Sequence, residues 1–144
     1  MKVRDILNRK GDWVATIDAQ ATIHQALCNL IENKVGALLI KDDSGGIEGI
    51  ITERDIIREV HADANLREKL VTEAMIRDPV CTSPEDDIEW VMNEMTEGRA
   101  RHVPVMSDGK LAGIVSIGDI VKLQRDQLKS EVTQLRDYVA GPQM

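Results

Sequence analysis

Two four-residue segments of the chain place a hydroxyl side chain three positions before an aspartate: Thr52 precedes Asp55, and Ser116 precedes Asp119. If each hydroxyl residue begins a helix, the free backbone N–H groups and the positive end of the helix dipole favour a phosphate there. The aspartate, one turn further along, can accept hydrogen bonds from both hydroxyls of a ribose, as acidic residues do in dinucleotide-binding folds. The two motifs therefore indicate chemistry suited to a phosphate and a sugar.

The same spacing also suits a structural role. A hydroxyl residue with an acid three positions later forms a reciprocal cap at a helix N-terminus, and one copy alone is best explained in this way. Two copies at corresponding places favour binding, so we expect at least one of Asp55 and Asp119 to contact a ligand. Arg54, Arg99 and Arg101 are candidate phosphate partners, and Arg54 is preferred because it lies inside the first motif. The alternative is that these arginines are solvated.

The motifs belong to a longer internal repeat. Residues 49–56 (GIITERDI) recur as residues 113–120 (GIVSIGDI) at a shift of 64 positions. Three further pairs of segments align, the first two at a shift of 65 and the last at 68: residues 15–19 with 80–84, 35–40 with 100–105, and 3–7 with 71–75. The change of shift means that residues 8–13 contain a small insertion, which a loop of a duplicated fold tolerates.

Each repeat is predicted to run strand, helix, strand, turn, strand, helix. In the first repeat, apolar residues at helical spacing predict a helix that begins at Thr22, with Thr22 and Gln25 as a capping box. Short apolar runs separated by glycine-containing turns predict a hairpin in each repeat, followed directly by helices that begin at Thr52 and Ser116. Neither half has a long enough core by itself, so we expect the two small sheets to pack together.

In this order, the features resemble the tandem cystathionine-beta-synthase (CBS) domain pair of the stand-alone type, from Val3 to about Leu123. The resemblance is carried by the apolar strand at residues 36–40, its copy at residues 101–105, the turn glycines Gly46 and Gly109, and the two hydroxyl-x-x-Asp motifs. It implies a mixed α/β (α+β) fold in which two repeats, each a small sheet with flanking helices, pack by pseudo-twofold symmetry. We assign the repeats to residues 1–66 and 67–124, and a C-terminal helical extension to residues 125–144, within one compact module.

The resemblance also implies two clefts between the repeats, each able to hold an adenosine-containing ligand such as AMP, ADP, ATP, NAD, NADH or S-adenosylmethionine. Backbone groups around Ala37 and His102 are expected to read the adenine edge, and Arg54 in place of Gly118 is expected to make the clefts inequivalent. The residues that we place at the clefts are Thr16, Gly36, Ala37, Leu38, Thr52, Arg54, Asp55, Thr82, Arg101, His102, Val103, Pro104, Ser116, Gly118 and Asp119.

Composition argues against nucleic acid and membrane partners. The net charge of −7 opposes a phosphate backbone, and an aromatic content of 2% leaves few stacking platforms for bases. No apolar run approaches the roughly 20 residues that a membrane span needs, and residues 1–7 lack the profile of a signal peptide. We therefore expect a cytoplasmic protein.

The sequence shows no constellation of catalytic or metal-binding residues. Cys28 and Cys81 stand singly, and His24 lies four positions before Cys28, but two ligands do not make a metal site. His102 is interpreted as a partly buried strand residue, and no nucleophile is paired with a base. We expect no enzymatic activity, no bound metal and no catalytic cofactor.

The leading hypothesis is a regulatory module that binds an adenine nucleotide, senses energy or redox state, and acts on an unidentified partner protein. The alternative is a structural or interaction module for dimerisation, whose clefts are vestigial. An apolar stripe after the second repeat predicts a homodimer, unless it packs on its own domain. The stripe consists of Val121, Leu128, Val132, Leu135 and Val139.

Overall fold

The computed structural model of the chain describes residues 1–141. The first repeat comprises α1 (Val3–Lys10), β1 (Thr16–Asp18), α2 (Ile23–Asn33), β2 (Ala37–Lys41), β3 (Ile47–Thr52) and α3 (Glu53–His61). The second comprises a 3-10 helix (Val71–Glu73), β4 (Ile76–Arg77), α4 (Ile88–Gly98), β5 (His102–Ser107), β6 (Lys110–Ser116) and α5 (Ile117–Ala140). The predicted order is confirmed, except that the first strand of the second repeat is reduced to one parallel bridge between Thr82 and Val105. The described part of the predicted C-terminal extension continues α5 without a break, and its last three residues lie outside the described range.

The helix starts lie where the hydroxyl residues predict them. Thr22 caps α2: its hydroxyl accepts the N–H of Gln25 at 3.1 Å, and the Gln25 side chain accepts the N–H of Thr22 at 2.8 Å. Thr52 and Ser116 are the N-caps of α3 and α5. These starts are set locally, because each side chain satisfies backbone donors that have no partner within the first helical turn.

The strands form two small sheets. The first has the order β1-β2-β3-β4, with β1 parallel to β2 and the other pairs antiparallel, and the second is the β5-β6 hairpin. The sheets pack on each other through a small apolar cluster to which Leu39 and Ile50 of the first sheet and Leu111 and Ile114 of the second contribute. The expected sheet-on-sheet packing is therefore confirmed.

The two halves also exchange segments. Val3 and Ile6 of α1, in the first repeat, are buried in the core built around α4, β5, β6 and α5. Val71, in the second repeat, is buried in the core built around α2, β2, β3 and α3. Each core is thus completed by a segment from the other repeat, which explains how halves of this size bury enough apolar surface to be stable. Within the described residues, no helix combines the length and the apolar character needed to cross a membrane.

Candidate functional site

The starts of α3 and α5 are tied to the strands opposite them by equivalent backbone hydrogen bonds. The N–H of Glu53 donates to the carbonyl of Gly36 at 3.1 Å, and the N–H of Ile117 donates to the carbonyl of Arg101 at 2.9 Å. The two contacts occupy corresponding positions of the two repeats, and each fixes one helix N-terminus. Both N-termini border the same region between the halves. The remaining free N–H groups of each first turn are available to an anion.

A cleft of about 690 Å³ lies between these helix starts. It is lined by residues of both repeats: Gly36, Ile50, residues 52–55, Arg58, Ile76, residues 78–80, residues 98–102 and residues 116–118. This volume falls within the range of about 300–1,000 Å³ that is usual for small-molecule sites. The cleft therefore has the size of a nucleotide site and presents helix starts from both repeats.

The cleft gathers about half of the residues proposed from the sequence. Those that line it are Gly36, Thr52, Arg54, Asp55, Arg101, His102, Ser116 and Gly118. Those that do not are Thr16, Ala37, Leu38, Thr82, Val103, Pro104 and Asp119. Leu38 and Val103 are buried in the two repeat cores, and the hydroxyl of Thr82 donates to Asp86 at 2.8 Å. The proposed contacts of a ligand with the backbone of these strands stay predictions.

Sequence reasoning missed the role of Arg58 and of residues 78–80 as cleft walls. Arg58 is three residues after Asp55, so its position on α3 was a readable signal. Residues 78–80 carried no such signal, because β4, which precedes them, reaches the cleft only by pairing with β3.

Asp55 is almost fully buried, with 4% of its surface exposed, and it caps α3. Its Oδ2 accepts the N–H of Thr52 at 2.8 Å and the hydroxyl of Thr52 at 3.0 Å, while its Oδ1 accepts from Arg58 at 3.0 Å. The capping role considered from the sequence is therefore present. An ionised carboxylate offers about four acceptor positions, so it retains capacity for a hydroxyl of a ligand. The Arg58 side chain is 70% exposed and lines the cleft.

His102 lies beside Gly36 in the cleft. A Cβ atom at Gly36 would lie 3.2 Å from the imidazole Cε1 and 3.1 Å from the carboxylate of Glu53, so a larger residue would displace these side chains. Burial lowers the pKa of His102 below its ordinary value, although the charge of Glu53 opposes this change. Within residues 1–141, Nδ1 of this ring is the buried side-chain N or O atom without a hydrogen-bond partner. The Cε1 and Nε2 side of the ring lies next to Gly36, and both residues line the cleft.

The cleft carries four arginines together with three acidic residues, Glu53, Asp55 and Asp78, in a chain whose net charge is −7. Arg54, Arg58, Arg99 and Arg101 line it and are exposed. Guanidinium groups bind phosphate oxygens through paired N–H donors, so four of them beside two helix starts favour a phosphorylated ligand.

Among the described residues, no group of three or more metal-ligating side chains is present, and Cys28 Sγ lies 3.8 Å from His24 Nδ1.

Comparison with known families agrees with the repeat. The sequence model of the CBS domain matches residues 3–62 and again residues 71–126. The chain belongs to the CBS domain family. Its two matched segments correspond to the two repeats, and the pair is therefore a tandem CBS module.

Known relatives share both the sequence and the fold of this CBS pair. The CBS domain-containing protein CBSX3, mitochondrial, of Arabidopsis thaliana is 29% identical over 96% of this chain and 72% of its own length. The crystal structure of the CBS-domain containing protein ATU1752 from Agrobacterium tumefaciens is 38% identical, with a TM-score of 0.83 over 86% of this chain and 99% of that chain. The CBS domain pair of protein MJ0100, in complex with 5′-methylthioadenosine and S-adenosyl-L-methionine, is 27% identical, with a TM-score of 0.79 over 88% and 98%.

The second motif of the CBS pair is arranged differently from the first. Oδ2 of Asp119 accepts the N–H of Ser116 at 2.8 Å, as Asp55 does with Thr52, but it also accepts the ammonium group of Lys10 at 2.7 Å. Asp119 lines a separate cavity of about 270 Å³ between α1 and α5. The two aspartates that are equivalent in sequence thus face different surroundings.

Proposed function

We propose that this CBS pair is a regulatory module that binds an adenine nucleotide in the 690 Å³ cleft and performs no catalysis. The observation that carries the proposal is the convergence of two helix N-termini and four arginines on a cleft that also contains Asp55. Helix N-termini and guanidinium groups favour phosphate, and the carboxylate favours a sugar diol. The MJ0100 pair supports an adenosine-containing ligand, since both compounds bound to it contain an adenosine group.

A nucleotide fits the chemistry of the cleft wall in one orientation. The phosphate would lie against the start of α3 with Arg54, and the ribose against Asp55. The base would lie against Ile76 and Val80, which are 47% and 43% exposed and offer apolar surface without charge. Each part of the ligand would thus meet a group of matching polarity.

The way in which the polar groups of the cleft are used supports the proposal of regulation rather than catalysis. The hydroxyl of Thr52 and the carboxylate of Asp55 are engaged in the cap of α3. A capping pair of the same kind begins α5. A ligand that binds between the repeats contacts both halves and stabilises one arrangement of them. A partner protein that distinguishes this arrangement would sense the nucleotide through differential affinity.

A thermal-shift panel tests the proposed function directly. We expect at least one of AMP, ATP, NAD, NADH and S-adenosylmethionine to raise the melting temperature, because a ligand at 100 times its dissociation constant stabilises the folded state by about 2.7 kcal/mol. For a chain of this size, that corresponds to a rise on the order of 10 °C. The absence of a shift with all five compounds would reject the proposal.

A second candidate function, dimerisation, is favoured by the exposed stripe on α5. The stripe does not pack on its own domain, because its side chains are 43% to 78% exposed. These side chains are those of Val121, Leu128, Val132, Leu135 and Val139. The spacing of seven, four, three and four residues is that of a helix which pairs with another helix. We propose that a second copy of the chain covers it, and that dimerisation accompanies nucleotide binding rather than replacing it.

A further inference from the structure

The repeat predicts a second cleft at Ser116 and Asp119, equivalent to the open cleft at Thr52 and Asp55. We propose that Lys10 closes this second cleft, so that each chain binds one nucleotide, in the open cleft. The inference rests on the proposed function and assigns a role to a residue outside both motifs. It starts from the position of the Lys10 ammonium group, which takes the place of a ligand at Asp119.

The ammonium group of Lys10 makes two contacts at the second motif. It donates to Oδ2 of Asp119 at 2.7 Å and to the carbonyl oxygen of Ile114 at 2.9 Å. Ile114 and Asp119 correspond in the repeat to Ile50 and Asp55, which both line the open cleft. In the second half, Lys10 therefore contacts the groups whose counterparts in the first half line the open cleft and face a ligand there.

The insertion in the first repeat explains why only one half is closed. Leu7 and Met75 are equivalent, and each packs against a glycine of a hairpin: a Cβ at Gly113 would lie 2.6 Å from Leu7 Cδ2, and a Cβ at Gly49 would lie 2.7 Å from Met75 Sδ. After these equivalent contacts, the segment that follows Leu7 and the segment that follows Met75 take different paths. After Met75 the chain forms β4, which pairs with β3, whereas after Leu7 it continues as a helix to Lys10.

Lys10 lies within the insertion and has no counterpart in the other repeat, where the segment after Met75 brings Asp78 to the open cleft. An acidic side chain cannot pair with the carboxylate of Asp55, so the first half has no equivalent closing contact from this segment.

The contact at Asp119 is strong enough to compete with a nucleotide. The Lys10 and Asp119 side chains are 31% and 17% exposed, so water screens their attraction only in part. Burial raises the pKa of the Asp119 carboxyl, but the hydrogen bonds from Lys10 and Ser116 and the charge of Lys10 outweigh it, so the pKa lies below its ordinary value. A ribose would have to replace an ion pair, in which both partners are charged, with hydrogen bonds from uncharged hydroxyl donors.

The space left beside this contact is also small. Its volume of about 270 Å³ lies below the usual range for small-molecule sites of about 300–1,000 Å³. Removing the side chain of Lys10 would enlarge this cavity and free the carboxylate of Asp119 at the same time. The second cleft is therefore closed by one side chain, which the helical path of residues 8–10 brings to Asp119.

The stoichiometry of binding tests the role of Lys10. Isothermal titration with AMP, and separately with ATP, is carried out on the wild-type chain, Lys10→Ala, Lys10→Arg and Lys122→Ala. We expect one nucleotide per chain for the wild type and for Lys10→Arg, which keeps the positive charge at Asp119. We expect two for Lys10→Ala. Lys122→Ala is the matched control, because it removes an exposed lysine that lines the same small cavity, and it should stay at one.

The other outcomes separate this inference from the proposed function. Two nucleotides per wild-type chain, or one per chain in Lys10→Ala with circular dichroism unchanged, would overturn the role of Lys10 and leave the proposed function standing. A second site in Lys122→Ala would also overturn it, since the effect would then be one of general charge. If none of AMP, ATP, NAD, NADH and S-adenosylmethionine binds to any of the four proteins, both the role of Lys10 and the proposed function are overturned.

Discussion

At the scale of single residues, Asp55 combines a structural role with a position in the cleft. Its carboxylate satisfies the N–H and hydroxyl of Thr52 and pairs with Arg58, so its removal affects the start of α3 whether or not a ligand binds. Stability alone therefore cannot reveal its role in binding. Asp86 offers a comparison, because its carboxylate accepts the hydroxyl of Thr82 and the N–H of Ser83, both at 2.8 Å, outside the cleft.

We predict that Asp55→Ala lowers the affinity for AMP about 10- to 100-fold, since a hydrogen bond to a charged acceptor contributes roughly 1.5–3 kcal/mol. Asp86→Ala should lower the free energy of unfolding by about 0.5–2 kcal/mol, the general scale for a cap, with AMP affinity unchanged. Urea denaturation and isothermal titration measure the two quantities on both variants. If Asp55→Ala loses stability but keeps its affinity, its carboxylate serves the cap alone.

At the scale of the elements, α5 packs on the rest of the chain mainly through its first turns. Its first turns bury Ile120 and Leu123 in the core of the second repeat, but the apolar residues after Leu123 are exposed along one face. A helix of 24 residues spans about 36 Å, so most of its length extends past the core. This apolar face is removed from water only if a partner covers it, which is the reason for the proposed dimer.

We predict that the wild-type chain is a dimer at micromolar concentration and that Leu128→Glu/Val132→Glu shifts it to monomer. Both positions lie on the exposed face, and two carboxylates there would have to be desolvated on association. Light scattering reports the mass, which should be twice 16.0 kDa for the wild type and 16.0 kDa for the variant. Ser130→Glu, on the opposite face of α5, is the control and should remain a dimer. A wild-type mass of 16.0 kDa, or a truncation after Leu123 that stays dimeric, would place no interface on this face.

At the scale of the whole molecule, the exchange of segments makes the two repeats depend on each other. The core of the second repeat includes Val3 and Ile6 of α1, and the core of the first includes Val71, so neither sequence repeat contains its complete core. The third cluster joins the two sheets. The CBS pair should therefore unfold as one cooperative unit, and a ligand that contacts both halves should stabilise the entire chain.

We predict that Ile6→Ala lowers the free energy of unfolding by about 2–5 kcal/mol, because Ile6 is 3% exposed and its truncation leaves a cavity. The effect should reach both repeats equally. Variants that retain only Trp13 or only Trp90 report on the first and second repeat, and their fluorescence transitions in urea should coincide before and after the substitution. Ile31→Ala is the control, since Ile31 is 67% exposed and its loss should change stability by about 0.5 kcal/mol or less. Separate transitions would contradict the dependence of the halves on each other.

The sequence by itself determined the features that depend on local periodicity and on capping. The hairpins and the helix starts at Thr22, Thr52 and Ser116 were predicted, because each depends on residues within a few positions of one another. The internal repeat was found by aligning segments 64 to 68 positions apart, which requires only the sequence. The resemblance to the CBS family followed from the order of the same local motifs.

Only the tertiary structure decided which of these residues meet. The side chains of Leu38 and Val103 lie in the cores, because strands buried on both faces show no alternation that marks the side facing a cleft. The contacts proposed for the backbone of these strands stay predictions. Lys10 and Asp119 are 109 positions apart, and their contact exists because α1 docks on the other repeat. The insertion at residues 8–13 was visible in the alignment of the repeats, but nothing local to it determines where Lys10 points. Contacts of this kind arise from the packing of distant segments, which the spacing of residues along the chain does not encode.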